Sequence, residues 1–288
     1  MISIIVCSKH PDLSEALKTN IRDTIGVPYE LIVIDNSTSR YSIFEAYNEG
    51  VKRAKHPYLC FMHEDVWYHS ANWGESVVRH LSDPHTGLIG LAGSQHLLAV
   101  PSSWFHAQPR SMNMMQTYVS PSGEKQTRRR TVPKDTQVLG IDGFWFCARK
   151  AIFDEVSFDN YTFPGFHFYD VDLAMQIHAQ GYAIYVVSDI LVEHKSLGFQ
   201  NSQWINSVYR FYDKWKDQLP ATLSPGFQVP RLSNIKAFKD LLYTHHLNKY
   251  PIPKKTWKIG WERLKGNLLT ACGVYLYSRI KYRNKPLR

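Results

Sequence analysis

The stretch that most constrains the fold is Tyr58-Leu59-Cys60-Phe61-Met62-His63-Glu64-Asp65-Val66. An apolar and aromatic run passes directly into three ionisable residues. A short apolar run bounded by charge is the pattern of a strand buried on both faces of a mainly parallel sheet. In open α/β sheets ligands lie beyond the carboxyl ends of the strands, so His63, Glu64 and Asp65 would emerge at a site. Carboxylates gathered there suit a divalent cation and the phosphates it carries, since such ions take oxygen ligands and bridge to phosphate. A second reading stands beside this one: Asp65 caps the next helix, an ordinary task for Asp after a strand.

The flanking chain alternates strand and helix patterns. Ile2 to Cys7 reads as a strand that enters the turn Ser8-Lys9-His10-Pro11. Asp12 with Glu15 has capping-box spacing, and Leu13, Leu17, Ile21 and Ile25 mark one helical face. No G-x-G-x-x-G follows the first strand, which counts against a dinucleotide-binding fold. Tyr29 to Ile34 reads as a second buried strand. The Asp35 that ends it suits contact with a ribose or base, or simply a turn. Ser42 and Glu45 form a second capping box ahead of Phe44, Tyr47 and Val51 on one face. Trp73, Val77 and Leu81 mark a further helix, and Gly87 to Ala92 a further strand.

Periodicity then fails, and residues 93–136 read as a long loop or insert, a segment type that is commonly a functional lid. Its run Arg128-Arg129-Arg130 fits a solvated surface patch or a clamp on the donor diphosphate or an anionic acceptor. Val138 to Arg149 is strand-rich around Asp142-Gly143. Trp145 there suits either stacking on a sugar or the core. Late strands are expected at Ala183 to Val187 and Ile190 to Val192.

The formal net charge is +9, and its distribution is uneven. Residues 231–288 hold 14 Lys and Arg against 2 Asp and Glu, leaving 20 basic and 23 acidic residues in the rest of the chain. A near-neutral body argues against a nucleic-acid-binding core, and the basic end suits an anionic surface. Trp257, Trp261, Leu264, Leu268, Cys272 and Tyr275 space as an amphipathic helix among Lys254, Lys255, Lys258, Arg263 and Lys265. Such a stripe fits a bilayer surface, or packing on the catalytic domain or a second subunit. Cys7, Cys60, Cys147 and Cys272 form no C-x-x-C, and three lie in apolar runs, which favours reduced thiols and a cytoplasmic location. The opening residues lack the basic lead of a signal peptide, and no apolar stretch reaches the ~20 residues of a membrane span.

Taken in order, the strand ending in Asp35-Asn36-Ser37, the helix carrying Ala46-x-Asn48-x-Gly50, and the strand ending in His63-Glu64-Asp65 resemble family-two glycosyltransferases of the GT-A fold. Tyr169-Asp170-Val171-Asp172-Leu173 is similar to that family's E-D-x-D-L segment, with Tyr169 in place of Glu. His63 stands where the first Asp of the D-x-D motif is usual. The resemblance spans roughly Ile2 to Trp215. It implies a GT-A catalytic domain over 1–217, an α/β fold with a mainly parallel central sheet flanked by helices, and a helical basic C-terminal extension over 218–288.

By the same resemblance, Asp65, His194 and His63 would hold a divalent metal, Mn²⁺ or Mg²⁺. Asp170 would be the catalytic base, with Asp172 as its support or rival. Ser8, Asp35, Asn48, Glu64, Asp142, Gly143, Trp145 and Lys195 would contact the nucleotide-sugar. The implied activity is transfer of a sugar from a nucleoside-diphosphate donor (UDP, GDP or dTDP) to a hydroxyl acceptor, inverting and metal-dependent. The basic end suits cytoplasmic synthesis of a cell-surface polysaccharide or glycoconjugate on a lipid-linked acceptor, with peripheral membrane contact and a homo-oligomer as further expectations. Two other readings remain: a catalytically inactive nucleotide- or sugar-binding protein, since His63 and Tyr169 replace acids, and a membrane-recruited scaffold. A nucleotidyltransferase is a further enzyme with related architecture.

Overall fold

Hydrophobic strands feeding amphipathic helices give the first half of the chain a layered α/β arrangement. The computed structural model describes residues 1–264 apart from Pro121, Phe199 and Pro225, together with Asn267, Leu269, Thr270, Cys272, Gly273 and Leu276. The elements in chain order are β1 (Ile2–Ser8), α1 (Glu15–Thr24), β2 (Tyr29–Asp35), α2 (Ile43–Arg53), β3 (Tyr58–Met62), β4 (Val66–Tyr68), α3 (Trp73–Leu81), β5 (Thr86–Gly90) and β6 (Ala92–Ser94). There follow β7 (Arg110–Met112), β8 (Met114–Val119), β9 (Lys125–Arg130), β10 (Thr136–Val138), β11 (Gly140–Ile141) and β12 (Trp145–Arg149). The last are α4 (Tyr169–Ala179), β13 (Ala183–Val186), β14 (Val192–His194), α5 (Ser202–Trp215), α6 (Arg231–Leu247) and α7 (Lys254–Leu264).

The central sheet has the order β10-β13-β5-β12-β3-β1-β2. Strands β1, β2, β3, β5 and β13 run one way, while β12 lies antiparallel between β3 and β5 and β10 is antiparallel at the edge. β12 therefore enters the sheet where β3 leaves it, and Trp145 pairs with Met62. That exchange brings Asp142 and Gly143 to the exit of β3. Phe61 and Phe146, directly paired across these strands, stack at 4.9 Å and anchor the core beneath the site. Cys60 and Cys147 pair likewise and are fully buried; all four cysteines are free thiols.

The capping box at Ser42 and Glu45 forms as the sequence predicts. That at Asp12 does not: Ser14 caps α1, and Asp12 instead pairs with Lys18. Gly50 lies on the buried face of α2. A Cβ there would sit 2.3 Å from Ile5 Cγ2, so the small residue sets how closely α2 packs on β1.

The region 93–136, expected as a loop, is folded. β6 and β7 join β11 in a three-stranded sheet, and β8 and β9 join β14 and β4 in the four-stranded order β4-β14-β8-β9. Its strands are too short and irregular to show in hydropathy, since β9 has every side chain exposed. The C-terminal helices pack on this region: Ala237, Phe238 and Leu242 of α6 and Leu264 of α7 meet Leu98, Val100 and Ala107. Tyr209 of α5 hydrogen-bonds His245 at 2.9 Å and also Thr256, tying α5, α6 and α7 together.

The expected Trp/Leu stripe divides in α7. Ile259 and Leu264 face inward, whereas Trp257 and Trp261 are 39% and 70% exposed. Lys265, Leu268 and Tyr275 lie outside the described residues. Among the described residues no helix is long and apolar enough to cross a membrane.

Gly50→Ala should destabilise the protein by about 1–3 kcal/mol through overpacking. Gly165→Ala, where an added Cβ meets nothing within 4 Å, should fall within about 0.5 kcal/mol of wild type. Denaturant unfolding of both variants checks this.

Candidate active site

Three ligand-type atoms converge where β3, β4 and β14 meet. His63 Nδ1 lies 3.4 Å from His194 Nε2, Asp65 Oδ1 lies 3.4 Å from His194 Nε2, and His63 Nδ1 lies 4.0 Å from Asp65 Oδ1. A triangle with those sides has a circumradius of about 2.1 Å, which matches metal–imidazole and metal–carboxylate bonds of ~2.0–2.2 Å. The residues therefore fit a divalent cation, and two imidazoles beside one carboxylate favour a transition ion such as Mn²⁺ over Mg²⁺. Burial works to raise the Asp65 pKa, but bonding and charge from His194, then Ser196 and His63, hold it well below the usual carboxylate range. Burial and the neighbouring His194 push His63 down to about 4 against the pull of Asp65, so it is neutral at neutral pH.

The proton on His63 is placed by Tyr169. The Tyr169 hydroxyl donates to the Gly143 carbonyl at 2.9 Å and lies 2.8 Å from His63 Nε2. Burial, then Tyr47 and Asp170, push the phenol pKa well above its ordinary value, so its single proton stays in place. That proton is committed to Gly143, so His63 Nε2 must be the donor to the phenol oxygen. The lone pair of His63 then sits on Nδ1, facing Asp65 and His194. A Cβ on Gly143 would fall 2.2 Å from the Tyr169 hydroxyl, which is why glycine stands there.

A cavity of about 380 Å³ opens beside this cluster, and its wall includes His63, Asp142, Asp170 and His194. Asp170 sits in the first turn of α4. The sequence favours a fully ionised carboxylate at that position, because a helix N-terminus stabilises negative charge. Instead, burial and then the charge of Asp142 outweigh the backbone amides and push Asp170 up to about 7. Asp142, itself raised by burial, accepts from Phe144 N at 3.1 Å. A base whose pKa lies near the working pH is well matched to taking a proton from a hydroxyl.

The outer ends of β1, β2 and β3 form a second group of side chains. Ser8 pairs with Asp35 in register and hydrogen-bonds Glu64, which also accepts from Lys9 N at 3.2 Å. Asp35 is exposed and held below the ordinary carboxylate range by the Ser37 backbone amide and side chain.

Other predicted residues are occupied elsewhere. Asn48 holds both the carbonyl and the amide of Phe158, at 2.7 and 3.1 Å, and so clamps α2 to the 155–160 loop. Trp145 is fully buried and bonds the Tyr68 hydroxyl, leaving no face for a sugar. Lys195 lies over the Trp67 ring at 4.6 Å, while its backbone amide donates to the Asp65 carbonyl. Asp172 is 1% exposed and taken up by Lys214, Trp215 and Gln176, joining α4 to α5 outside the cavity. None of these four lines the cavity.

Sequence reasoning missed Met114, Gln116, Trp104 and Trp204 in the cavity wall. It also missed Ser196, whose hydroxyl lies 3.1 Å from His194 Nε2. A second group, His80, Asp135 and Asp189, is built differently. Opposite nitrogens of His80 face the two carboxylates and Arg79 also pairs with Asp189, so it is an ion-pair knot.

Tyr169→Phe should weaken Mn²⁺ binding by about 10- to 100-fold while leaving the fold intact, as loss of a bond that orients a metal ligand does. Calorimetric titration of Mn²⁺ measures it, and unchanged affinity refutes the tautomer assignment.

No curated protein sequence matches the chain. Among solved structures, A197 from STIV aligns with a TM-score of 0.39 and 9% identity, covering 67% of this chain and 84% of its own. The crystal structure of GalNAc-T7 with UDP, GalNAc and Mn²⁺ aligns with a TM-score of 0.50 and 13% identity, covering 88% of this chain and 59% of that one. The fold is thus similar to that of a GT-A glycosyltransferase, a mixed α/β architecture with a large central sheet flanked by helices. The sequence pattern of the glycosyltransferase-like family matches residues 3–218, so the chain belongs to that family and with it to the sugar-transferring enzymes.

Proposed function

We propose that the protein transfers a sugar from a nucleoside-diphosphate donor to an acceptor hydroxyl by a single inverting displacement. The observation that carries this reading is the cluster of Asp65, His63 and His194, whose two imidazoles line the same cavity as Asp170. The nucleotide lies over the ends of β1 and β2, with Asp35 reading the ribose or base and the Ser8–Glu64 pair supporting that edge. A divalent ion held by Asp65, His63 and His194 would offset the charge that grows on the diphosphate. GalNAc-T7, similar in fold, was solved with UDP and Mn²⁺, which supports testing a uridine donor and manganese first.

Asp170 takes the acceptor proton as the hydroxyl oxygen bonds to the anomeric carbon and the bond to the diphosphate breaks. Asp142 keeps Asp170 basic enough for that task by opposing its ionisation. Asp172 holds the start of α4 in place through Lys214 and Trp215. The replacements at His63 and Tyr169 favour an active enzyme over an inactive binder: the two side chains bond each other and direct a lone pair to the metal cluster. Trp257 and Trp261 beside Lys254, Lys255 and Lys258 on the exposed side of α7 support peripheral contact with an anionic membrane. A cytoplasmic enzyme building a cell-surface polysaccharide on a lipid-linked acceptor fits this arrangement.

Calorimetric titration with UDP, GDP and dTDP should show one nucleotide binding only with Mn²⁺ present. Asp65→Ala should weaken that binding at least tenfold. Tight binding indifferent to metal removes the role of Asp65, and no binding of any of the three sinks the reading. Asp170→Asn should leave nucleotide affinity unchanged and lower kcat by about 10²- to 10⁴-fold. Because the base works ionised, kcat/KM should rise with pH through about 7 and level off above it, and the variant should lose that rise.

A further inference from the structure

The four-stranded sheet carries one row of side chains from the metal cluster out to a basic edge. His194 pairs with Gln116 on β8, and Gln116 pairs with Arg128 on β9. Partners directly across a ladder share a face, so His194, Gln116 and Arg128 stand on one side. His194 and Gln116 both line the cavity. One step along, cavity-lining Met114 pairs with Arg130. Arg110, at the start of β7, stacks over Phe105 at 3.9 Å, and Phe105 is also in the cavity wall.

These cations have no counter-charge. Among the described residues no ion pair forms with Arg110, Arg128 or Arg130. Arg110 is instead held below its ordinary pKa by burial and by the charge of Arg130. The one acid within these four strands, Glu193, lies one residue out of phase on the opposite face, where it pairs with His69 at 3.1 Å. Positive charge on an edge strand is a general defence against strand pairing. That defence accounts for charge on β9 but not for a second arginine brought beside Arg130 from another sheet. Like charges gathered next to cavity-lining Phe105, Met114 and Gln116 repel one another, and an anion between them relieves that repulsion.

We propose that Arg110, Arg128 and Arg130 bind a negatively charged group, phosphate or carboxylate, on the acceptor substrate. The assignment rests on the glycosyltransferase reading of the cavity and adds the chemical class of acceptor. Two strand spacings, roughly 9–10 Å, separate the backbone at His194 from that at Arg128. A donor diphosphate held through an ion at Asp65, His63 and His194 would sit at the inner end of that row. An anion at the outer end of the row is accordingly assigned to the acceptor, beyond the hydroxyl that would face Asp170.

The test is calorimetric titration of glucose 1-phosphate, glucuronate and glucose into the UDP–Mn²⁺ complex and into the free protein. Wild type is compared with Arg128→Gln/Arg130→Gln and with Arg128→Lys/Arg130→Lys. With the donor site filled by UDP, at least one anionic sugar should bind wild type about tenfold or more tightly than glucose. Whichever anionic sugar is preferred separates a phosphate from a carboxylate acceptor. The Gln variant should erase the preference with UDP affinity unchanged, and the Lys variant should keep most of it. Equal binding of all three sugars to wild type overturns the proposal, as does a preference that survives the Gln substitutions. Loss of UDP affinity in the Gln variant also overturns it, by moving the arginines to the donor side. If wild type binds no nucleotide, the transferase reading fails separately, and the free-protein titrations still decide whether the arginines take an anion.

Discussion

The site depends on one phenol with one proton. Tyr169 spends it on the Gly143 carbonyl and thereby obliges His63 to donate from Nε2. Three segments distant in sequence meet in that bond pair: the exit of β3, the entry to β12 and the first turn of α4. Each can reach it only because β12 runs antiparallel beside β3 and Gly143 has no side chain. A Glu at position 169 would bring another charge beside Asp142 and Asp170, and the neutral phenol orients the imidazole without that repulsion.

The same crowding explains the division of labour among the acids. Asp142 and Asp170 are both half-buried, burial raises both, and the charge of Asp142 further opposes the ionisation of Asp170. Asp65 is relieved by two imidazoles and stays charged. Asp172, deepest of all, is matched by Lys214 and serves packing. Four carboxylates of like chemistry thus take separate parts according to what surrounds them.

Much of this was legible in the sequence where the signal was local. Strands β1, β2 and β3 are largely apolar, interrupted by Ser3 and Glu30, and the acids and His63 at their ends mark the candidate site directly. The Ser42 capping box needs only four residues to be seen. What escaped was set by long-range pairing. Strands β8 and β9 carry no alternation that distinguishes them from a polar loop: β9 is exposed throughout, and β8 joins a sheet only through β14, far away in sequence. Trp145 looked able to stack on a sugar because nothing local tells a core Trp from an exposed one. Asn48 and Asp172 fit the order of family motifs, yet their hydrogen bonds go to Phe158 and Lys214, partners that only the fold brings near.

The row from His194 through Gln116 to Arg128 is spaced by backbone hydrogen bonds and works as a ruler. Its length is fixed by strand separation and is indifferent to side-chain substitution along the way. Its direction is more fragile. A single inserted residue in β9 would turn Arg128 and Arg130 to the opposite face and bring Arg129 round in their place, because strand side chains alternate. On the proposed acceptor role, a one-residue slip of this strand would exchange the residues offered to an anion while leaving the arrangement of His63, Asp65 and His194 untouched.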